Sequence, residues 1–466
     1  MPCDTGTMCP ARYGSVGSAR LLQSLSAIAV WLAGAAAQAA PIAEIVVAEN
    51  HKTTSDTVEL IARISVGDDW SPDMIEAVTA RLVSSGLFRD VKVFGEQVAG
   101  GVRVHLVVRD KHSWIIAPAF YTQPTNVGGG IGFGENNLFG ENQKLLLFGQ
   151  IATGDSFFIG AWVIPAIAGT RFYAQIDTFL KHARNIEYAS PTKYIDDPVA
   201  IRKSYINYLN GGFRLGLNLF YGLAFDARLR AAHVSYNRAE LDTHDNPRAV
   251  LADIDPNLSD SSKIPKPGTE GWDISNELTL TLDRRANWYG IATGYRGTLT
   301  FERSILSSDF HYYQLNASLF RAWQVLERHN LVVKARADVG HRLPFQQEFV
   351  TGGPAMRGWI NNQFRGDLRA LVNIEYSAPL FTIAGLSFRG LAFVDSAYTT
   401  FLSTDNPERN YLPGATARGL APLKNSIGVG SRLFMRQIVL PLLGLDFGYG
   451  LEARDVQIYL AIGLTD

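Results

Sequence analysis

The sequence predicts an all-β membrane barrel of about 16 antiparallel strands, preceded by a small α/β domain. Residues 112–466 form a succession of segments of about ten residues in which apolar and polar side chains alternate. Residues 41–111 instead mix helical and strand periodicities. No apolar stretch beyond residue 41 is long enough for a membrane helix, so a chain that crosses a membrane would need a closed barrel to pair its backbone groups.

The composition narrows the class further. Charged residues make up 19% of the 466 residues, against about 25% in typical soluble domains, and the formal net charge is −1. This balance excludes a disordered chain, and it lacks the basic excess that marks nucleic-acid-binding proteins. The chain has two cysteines, Cys3 and Cys9, which excludes a disulfide-stapled scaffold.

Residues 1–40 predict a secretory signal peptide. Arg12 and Arg20 precede the largely apolar segment 21–34, and Ala37-Gln38-Ala39 then matches the cleavage pattern of small residues. The alternative is an N-terminal anchor helix, although the apolar segment is shorter than the roughly 20 residues that a membrane span needs. Cleavage before residue 40 or 41 would remove both cysteines.

Residues 41–111 predict the α/β domain, in the order strand, helix, helix, strand, strand. Ser71-Pro72-Asp73 indicates a helix start, with a capping hydroxyl, a proline at the first helical position and an acid near the positive end of the helix dipole. Gly86 is placed to end that helix. The other predicted elements are a strand over 42–48, a helix over 53–64, and strands around 91–93 and 102–108.

Residues 112–466 predict the barrel. Leu278, Leu280 and Leu282, for example, alternate with polar residues, as expected when one strand face meets lipid and the other a wet lumen. Long connections are predicted near 182–203, 237–272, 342–367 and 398–423. The predicted strands lie near 113–121, 127–137, 143–153, 156–165, 171–181, 204–220, 223–236, 273–283, 290–303, 310–322, 330–341, 368–379, 385–397, 424–435, 441–450 and 455–464.

No pattern of residues indicates an enzyme. The sequence has no phosphate-binding Walker loop, no metal-type histidine pair and no nucleophile elbow. The glycine cluster at 128–134 does not lie between a strand and a helix of a nucleotide-binding unit, so it is better explained as part of a curved barrel strand. We therefore expect no catalytic site, no cofactor and no metal.

Several segments resemble the BamA/TamA-like superfamily of outer-membrane assembly factors. The 41–111 domain resembles a polypeptide-transport-associated (POTRA) domain, in its element order and in the turn Ser85-Gly86-Leu87-Phe88 followed by Val91-Lys92-Val93. The segment Glu135-Asn136-Asn137-Leu138-Phe139-Gly140 resembles an early barrel motif of that family. The resemblance covers residues 42–466.

The most specific resemblance is Gly352-Gly353-Pro354-Ala355-Met356-Arg357-Gly358-Trp359, which is similar to the motif of the family's sixth outer loop. Asn373-Ile374-Glu375-Tyr376 and Phe393-Val394-Asp395 resemble the acidic motifs of the next two strands. The chain departs from the family pattern by having Met356 and Trp359 where valine and tyrosine or phenylalanine are usual. It also ends without an aromatic residue and carries one POTRA-like domain.

The residues of these motifs predict a lock for the loop. Alternation places Glu375 on the polar, lumen-facing side of its strand, and Asp395 on the polar side of the next. Arg357 could therefore enter the lumen and bind either acid through a bidentate contact, while Gly352, Gly353 and Gly358 allow tight turns. The alternative is a solvated arginine on an ordinary outer loop.

The resemblance implies a function and a location. We expect a protein of the outer membrane, in contact with its lipid, with the POTRA-like domain in the periplasm and accessory proteins there as further partners. It would assist insertion, assembly or translocation of proteins, receiving an unfolded client polypeptide by strand addition at that domain and at a weak seam between the first and last barrel strands. The alternative is a passive pore or structural surface barrel without client handling.

Overall fold

The computed structural model describes residues 40–188, 200–237, 264–288, 291–383, 386–411, 423–435 and 441–462. The predicted signal peptide lies outside the described residues, as do the last four residues and most of the predicted connection 237–272. The chain divides into two compact units, one of residues 1–50 with 58–109 and one of 51–57 with 110–466. None of the helices in the described ranges has the length and apolarity needed to cross a membrane.

The first unit has the predicted order of elements, with one addition, the two-residue strand β2. Its sheet has the strand order β2-β1-β4-β3, in which β1 and β4 run parallel. The elements are β1 (Ala40–Ala48), α1 (Ser55–Ala62), β2 (Asp69–Trp70), α2 (Met74–Ser84), β3 (Phe88–Val98) and β4 (Gly101–Asp110).

Apolar alternation builds the core of this domain. Every second residue of β4, from Val102 to Val108, is buried, and these side chains form one cluster with Val78 and Leu82 of α2. Because these residues recur at the strand and helix periods, each element presents a continuous apolar face to the other.

Both helices begin later than predicted. The backbone N–H groups of Met74 and Ile75 donate to the Ser71 and Pro72 carbonyls over 3.0 and 3.2 Å, so residues 71–73 form a turn ahead of α2. Gly86, with φ +74°, follows the end of α2, as the sequence predicts. The first helix spans Ser55–Ala62 rather than 53–64.

The second unit is a closed antiparallel barrel. Within the described ranges it has sixteen staves, where a stave is one strand position around the ring. The short β13 and the long β12 both pair with β14 and together make one stave. Its strands are β5 (Trp114–Gln123), β6 (Asn126–Leu138), β7 (Gln143–Ala152), β8 (Asp155–Ile164), β9 (Phe172–Tyr188), β10 (Ala200–Phe220), β11 (Leu223–Tyr236), β12 (Gly271–Asp283), β13 (Ala286–Trp288), β14 (Ile291–Ser304), β15 (Tyr313–Leu326), β16 (His329–His341), β19 (Leu368–Ile383), β20 (Leu386–Thr400), β21 (Lys424–Met435), β22 (Pro441–Gly450) and β23 (Asp455–Ile462). The hairpin β17 (Phe349–Thr351) and β18 (Phe364–Gly366) lies between β16 and β19.

All sixteen predicted segments correspond to staves, and the predicted faces are confirmed. On β12, Leu278 and Leu280 are exposed on the outer face, whereas Asp273 and Ser275 are buried towards the lumen. The largest departure in length is β9, which extends seven residues beyond its predicted end (188 against 181).

Connections alternate in length over part of the barrel only. The end that carries the connections 189–199, 237–270, 342–367 and 401–423 is called the long-loop end. At this same end, three connections are short: 124–125, 153–154 and 451–454. These three join the strands β5 to β8, β22 and β23, so the long connections are confined to the rest of the ring.

Candidate functional site

Arg357, on the long connection between β16 and β19, lies inside the barrel against the strand wall. Its guanidinium Nε and Nη2 donate to the two oxygens of the Asp395 carboxylate over 2.9 and 2.8 Å. Its backbone N–H donates to the same carboxylate over 3.1 Å. Arg357 is 4% exposed and the Asp395 side chain 0%, so this is a bidentate ion pair out of bulk water, in which each charge depends on the other.

Two further acids and one aromatic ring complete the surroundings of this guanidinium. Nη1 lies 2.8 Å from Glu375 Oε1 and 3.6 Å from Asp446 Oδ2. The guanidinium carbon lies 3.5 Å from the centre of the Phe393 ring, which is a cation–π distance. Arg357 is thus held by β19, β20 and β22 at once.

The glycines of the motif permit the close approach that this geometry needs. Gly352 has φ +119°, and a Cβ there would lie 2.1 Å from the Ile360 carbonyl oxygen. Gly358 has φ +93°, and a Cβ there would lie 2.7 Å from the Gly450 backbone nitrogen. Gly353, with φ +70°, donates its N–H to the Trp359 carbonyl over 3.0 Å and so closes the turn. A side chain at Gly352 or Gly358 would meet backbone atoms, which cannot move aside easily.

Trp359 anchors the tip of the loop. It is 1% exposed and belongs to one apolar cluster, whose other buried members are Met356, Phe364, Leu371 and Ala397. The Tyr459 hydroxyl of β23 donates to the Trp359 carbonyl over 2.7 Å and accepts from the Gly358 N–H over 3.1 Å. The loop is therefore fixed by apolar packing and by β23 as well as by charge.

The structure thus brings together all seven residues that sequence reasoning singled out: Gly352, Gly353, Arg357, Gly358, Trp359, Glu375 and Asp395. It adds Asp446 and Tyr459, which that reasoning missed, and it shows that the Phe393 ring, named before only as part of a motif, contacts Arg357. A signal for Asp446 exists, since Gly444, Asp446, Gly448 and Gly450 put three glycines and one acid on the inward face of β22, which leaves space for an incoming segment. No such signal exists for Tyr459, whose contact depends on closure of the ring.

A second buried charge group, here called the cap cluster, consists of Glu187, Arg202, Glu348, Arg365 and Arg409 at the long-loop end. Arg409 contacts Glu348 over 2.5 Å and Glu187 over 2.6 Å. Arg202 also pairs with Glu187, and Arg365 with Glu348 over 2.9 Å. The cluster therefore ties the ends of β9 and β10 to two long connections.

Backbone groups extend this tie. Arg202 donates to the Pro265 carbonyl over 3.0 Å, and Arg409 donates to the Pro267 carbonyl over 2.8 Å. Segments of four separate long connections or their strand ends are thereby pinned to one another over the lumen.

A cavity of about 440 Å³ lies in the lumen beneath these connections. Charged side chains of β11, β12 and β14 line one side of it, and Phe179 lines the other together with Asp155 and Lys181. Arg230 there pairs with Asp273 and Glu302 over 3.0 and 2.6 Å, so much of the wall charge is already balanced.

The ring closes through a short seam between its last and first strands. Within the described ranges, β23 and β5 share three residue pairs, Leu460 with Thr122, Ala461 with Tyr121 and Ile462 with Phe120. The neighbouring pairs β22–β23 and β5–β6 share eight and ten. Among the described residues, this joint therefore has the fewest strand pairs to separate.

Comparisons with known structures agree with this architecture. The chain is similar to BamA from Haemophilus ducreyi lacking POTRA domains 1–3, with a TM-score of 0.62, 14% identity, and coverage of 91% of this chain and 84% of that one. It is similar to CdiB from Acinetobacter baumannii, with a TM-score of 0.60, 14% identity, and coverage of 92% and 74%. CdiB from Escherichia coli gives a TM-score of 0.51 at 13% identity, with 92% of each chain covered. At these identities the likeness establishes the fold alone.

No curated protein matches the chain in sequence. The description of one protein family, the Omp85 superfamily domain, matches residues 137–463, which is well over half of the chain. That match spans the sixth-loop motif, both acidic strands and the barrel from the last two residues of β6 onward. The chain belongs to the Omp85 superfamily, and its barrel is an outer-membrane β-barrel.

Proposed function

We propose that this protein assists the insertion, assembly or translocation of other proteins at the outer membrane. Its barrel would offer the seam between β23 and β5 to an unfolded client. Its α/β domain, placed in the periplasm, would act as a POTRA domain and receive the client by strand addition. The proposal includes no catalytic chemistry, no cofactor and no nucleic acid.

The observation that carries the proposal is the short seam. Three residue pairs close the described part of this joint, and the strand edges on either side expose unpaired backbone groups as soon as they part. A client strand could then pair with β5 or β23 through main-chain hydrogen bonds, which do not depend on the client's sequence. Within the described ranges, the other joints of the ring have at least seven pairs between long strands and offer no comparable edge.

Site-specific photocrosslinking in cells tests this role. Benzoylphenylalanine replaces Phe120, at the seam, or Phe301, another lipid-facing phenylalanine, on β14. The proposal expects newly made outer-membrane polypeptides to be trapped at Phe120 and not at Phe301. Equal trapping at the two positions, or none at either, would count against client handling at the seam.

A disulfide staple supplies a second test with a matched control. Ala461 lies directly opposite Tyr121 across the seam and opposite Gly444 within the β22–β23 pair. Directly opposed residues have Cα atoms roughly 4.5–5.5 Å apart, which suits a disulfide. Ala461→Cys with Tyr121→Cys should abolish client trapping when oxidised, and reduction should restore it. Ala461→Cys with Gly444→Cys should have no effect in either state.

The alternative function is a passive pore, which the polar lumen would favour. The cap cluster argues against an open pore, because it holds several long connections together over the lumen. Single-channel conductance in planar bilayers decides between the two. A high, steady conductance of the unmodified protein, without client trapping at Phe120, would establish the pore instead.

A further inference from the structure

The outward face of the barrel wall carries no acid from β9 to β16, within the described residues of these strands. Directly opposed residues of neighbouring antiparallel strands share a face. Leu278, Phe301 and Leu315 oppose one another in turn, and each is more than 40% exposed, so they mark the outward positions. A cation on this face has no strand acid beside it, because the acids of these strands all occupy the inward positions: Asp177, Glu187, Asp226, Asp273, Glu277, Asp283, Glu302 and Asp338.

One outward cation, Arg303, lies at the long-loop end of β14 and forms a row with two other outward-facing side chains. Arg303 directly opposes Tyr313 of β15, and Tyr313 directly opposes His341 of β16. Opposed residues are about 5 Å apart, so the row spans roughly 10 Å. The rings of Tyr313 and His341 stack with their centres 5.1 Å apart. This row is here called the rim triad.

The rim triad is open to its surroundings. Arg303 and His341 are exposed, and Tyr313 is 49% exposed. Arg303 forms no ion pair with any residue that the structure describes. An acid on the connection after β14, Asp309, is already engaged, because it accepts the backbone N–H of Trp272 over 2.6 Å. The guanidinium of Arg303 can therefore take a partner from outside the protein.

An apolar row lies directly beneath the triad, one outward position further from the long-loop end. Phe301, Leu315 and Val339 oppose one another in the same way and are 42%, 41% and 40% exposed. Charge and apolar surface thus adjoin on the membrane side of the wall. A ligand that covers both needs an anionic head and apolar chains, which a free phosphate ion lacks.

The position of the triad selects the leaflet. Long connections of outer-membrane barrels face the outside, whereas their periplasmic turns are short. The triad at the long-loop end then lies at the headgroup level of the outer leaflet, where tyrosine rings and basic side chains meet lipid headgroups. The planar fork of arginine matches the oxygens of a phosphate group, and a tyrosine hydroxyl and a histidine N–H can add donors.

The other end of β15 carries an outward arginine that serves as a comparison. Arg321 opposes Tyr295 of β14, and its guanidinium carbon lies 5.5 and 5.1 Å from the ring centres of Tyr295 and Trp323. These are cation–π distances, so Arg321 already has two partners within the protein. The two arginines share the lipid-facing side of the wall and differ in their surroundings.

We propose that the rim triad and the apolar row beneath it bind a phosphate-bearing lipid of the outer leaflet. The phosphate would accept hydrogen bonds from the Arg303 guanidinium, with Tyr313 and His341 beside it, while an acyl chain lies on Phe301 and Leu315. The inference goes beyond the proposed function, because it depends on the outer-membrane barrel alone and not on any client. It gives the wall a lipid partner of defined chemistry at a defined place.

Lipid binding to the purified full-length protein in detergent micelles tests the site. The probe is lipid A that carries both phosphates, its partner is lipid A from which both phosphates have been removed, and bound lipid is counted by native mass spectrometry. We expect the phosphorylated lipid to bind about tenfold more tightly. Arg303→Gln should remove that preference, whereas Arg303→Lys should keep part of it, because the charge remains without the fork.

The matched control is Arg321→Gln, which removes an outward arginine at the other end of the neighbouring strand and should leave the preference unchanged. Retained heat-modifiable gel mobility shows that each variant still forms the barrel. Three outcomes would overturn the inference: equal binding of the two lipids, an unchanged preference in Arg303→Gln, or equal losses in Arg303→Gln and Arg321→Gln. The last would mean that any lipid-facing arginine attracts the headgroup and that the triad is not a site.

Discussion

The two units of this chain bury opposite kinds of side chain. The α/β domain packs Val78, Leu82 and the valines of β4 into an apolar core, whereas the barrel encloses Arg357, Asp395 and the cap cluster and turns its leucines outward. The difference follows from the solvent, since lipid accepts the apolar face of a strand and leaves polar groups to meet each other in the lumen. Stability in the first unit should therefore depend on apolar volume, and loop order in the second should depend on paired charge in addition to the apolar packing of Trp359.

Among the substitutions that test this difference between the two units, loss of Arg357 should have the largest effect. Arg357→Ala leaves the buried Asp395 carboxylate unpaired, which can cost about 3–5 kcal/mol, less where water reaches the site. We expect the loop to become accessible to external protease while the barrel still forms. Arg357→Lys should restore resistance only in part, because lysine lacks the planar fork.

A double-mutant cycle with Asp395→Ala identifies the cause of that effect. The two changes should be strongly non-additive in protease resistance. Simple additivity would mean that the two residues do not interact. Arg321→Ala, at an outward-facing arginine of β15, is the control and should leave protease resistance unchanged.

In the α/β domain, the stability should respond most to the loss of a buried apolar side chain. Leu106→Ala removes a fully buried side chain from the core and should cost about 2–5 kcal/mol of unfolding free energy. A fragment of residues 41–111 should show a cooperative thermal transition whose midpoint falls sharply in this variant. Leu60→Ala, at a leucine of α1 that is 48% exposed, should shift it little. A featureless melt of the unchanged fragment would refute the predicted domain boundary.

A smaller effect on loop order is expected from a side chain added where the loop backbone lies close to the backbone of a barrel strand. Gly358→Ala forces a side chain into a left-handed conformation and against the Gly450 backbone, and such strain costs about 1–3 kcal/mol. Gly211→Ala, on β10, meets nothing within 4 Å. Only the first change should increase protease cleavage of the loop. Equal sensitivity of the two variants would mean that the loop is not held at Gly358.

The smallest effect concerns exposed charge on the α/β domain. Hydrogen bonds from His105 and then Arg103 lower the pKa of Glu96 below its usual 4.5. A lowered pKa stabilises the folded state above pH 4.5, and this contribution is lost as pH falls through the lower, folded-state pKa. Glu96→Gln should therefore lower the melting temperature of the 41–111 fragment slightly at pH 7 and leave it unchanged near pH 2. An equal decrease at both pH values would point to lost packing instead.

The strands of the barrel could be predicted from the sequence more completely than the contacts inside the barrel. In each strand, apolar and polar residues alternate because one face meets lipid and the other meets the lumen. Strands such as β12 and β22 could therefore be predicted from about a dozen residues of their own. Arg357, Glu375 and Asp395 could be linked because parity fixes which side of a strand an acid occupies.

Other contacts join distant segments and leave no local trace. Arg409 meets Glu187 across 222 positions of the chain, and Gly358 meets Tyr459 across 101. Nothing in the neighbourhood of Arg409 distinguishes it from a solvated arginine. The cap cluster and the β23 contact to the loop therefore required the closed ring.

The uneven lengths of the connections at the long-loop end have a mechanical consequence. The strands on both sides of the seam, β22 and β23 and then β5 to β8, are joined there by the short turns 124–125, 153–154 and 451–454. Parting β23 from β5 at this rim therefore moves only short turns, but it also breaks contacts of the connection 342–367. Asn361 of that connection donates to the Gln123 side chain of β5 over 2.6 Å. The Tyr459 hydroxyl of β23 donates to the Trp359 carbonyl over 2.7 Å. The cap cluster ties the described segments of the long connections to one another away from the joint, so these ties can persist while the joint parts.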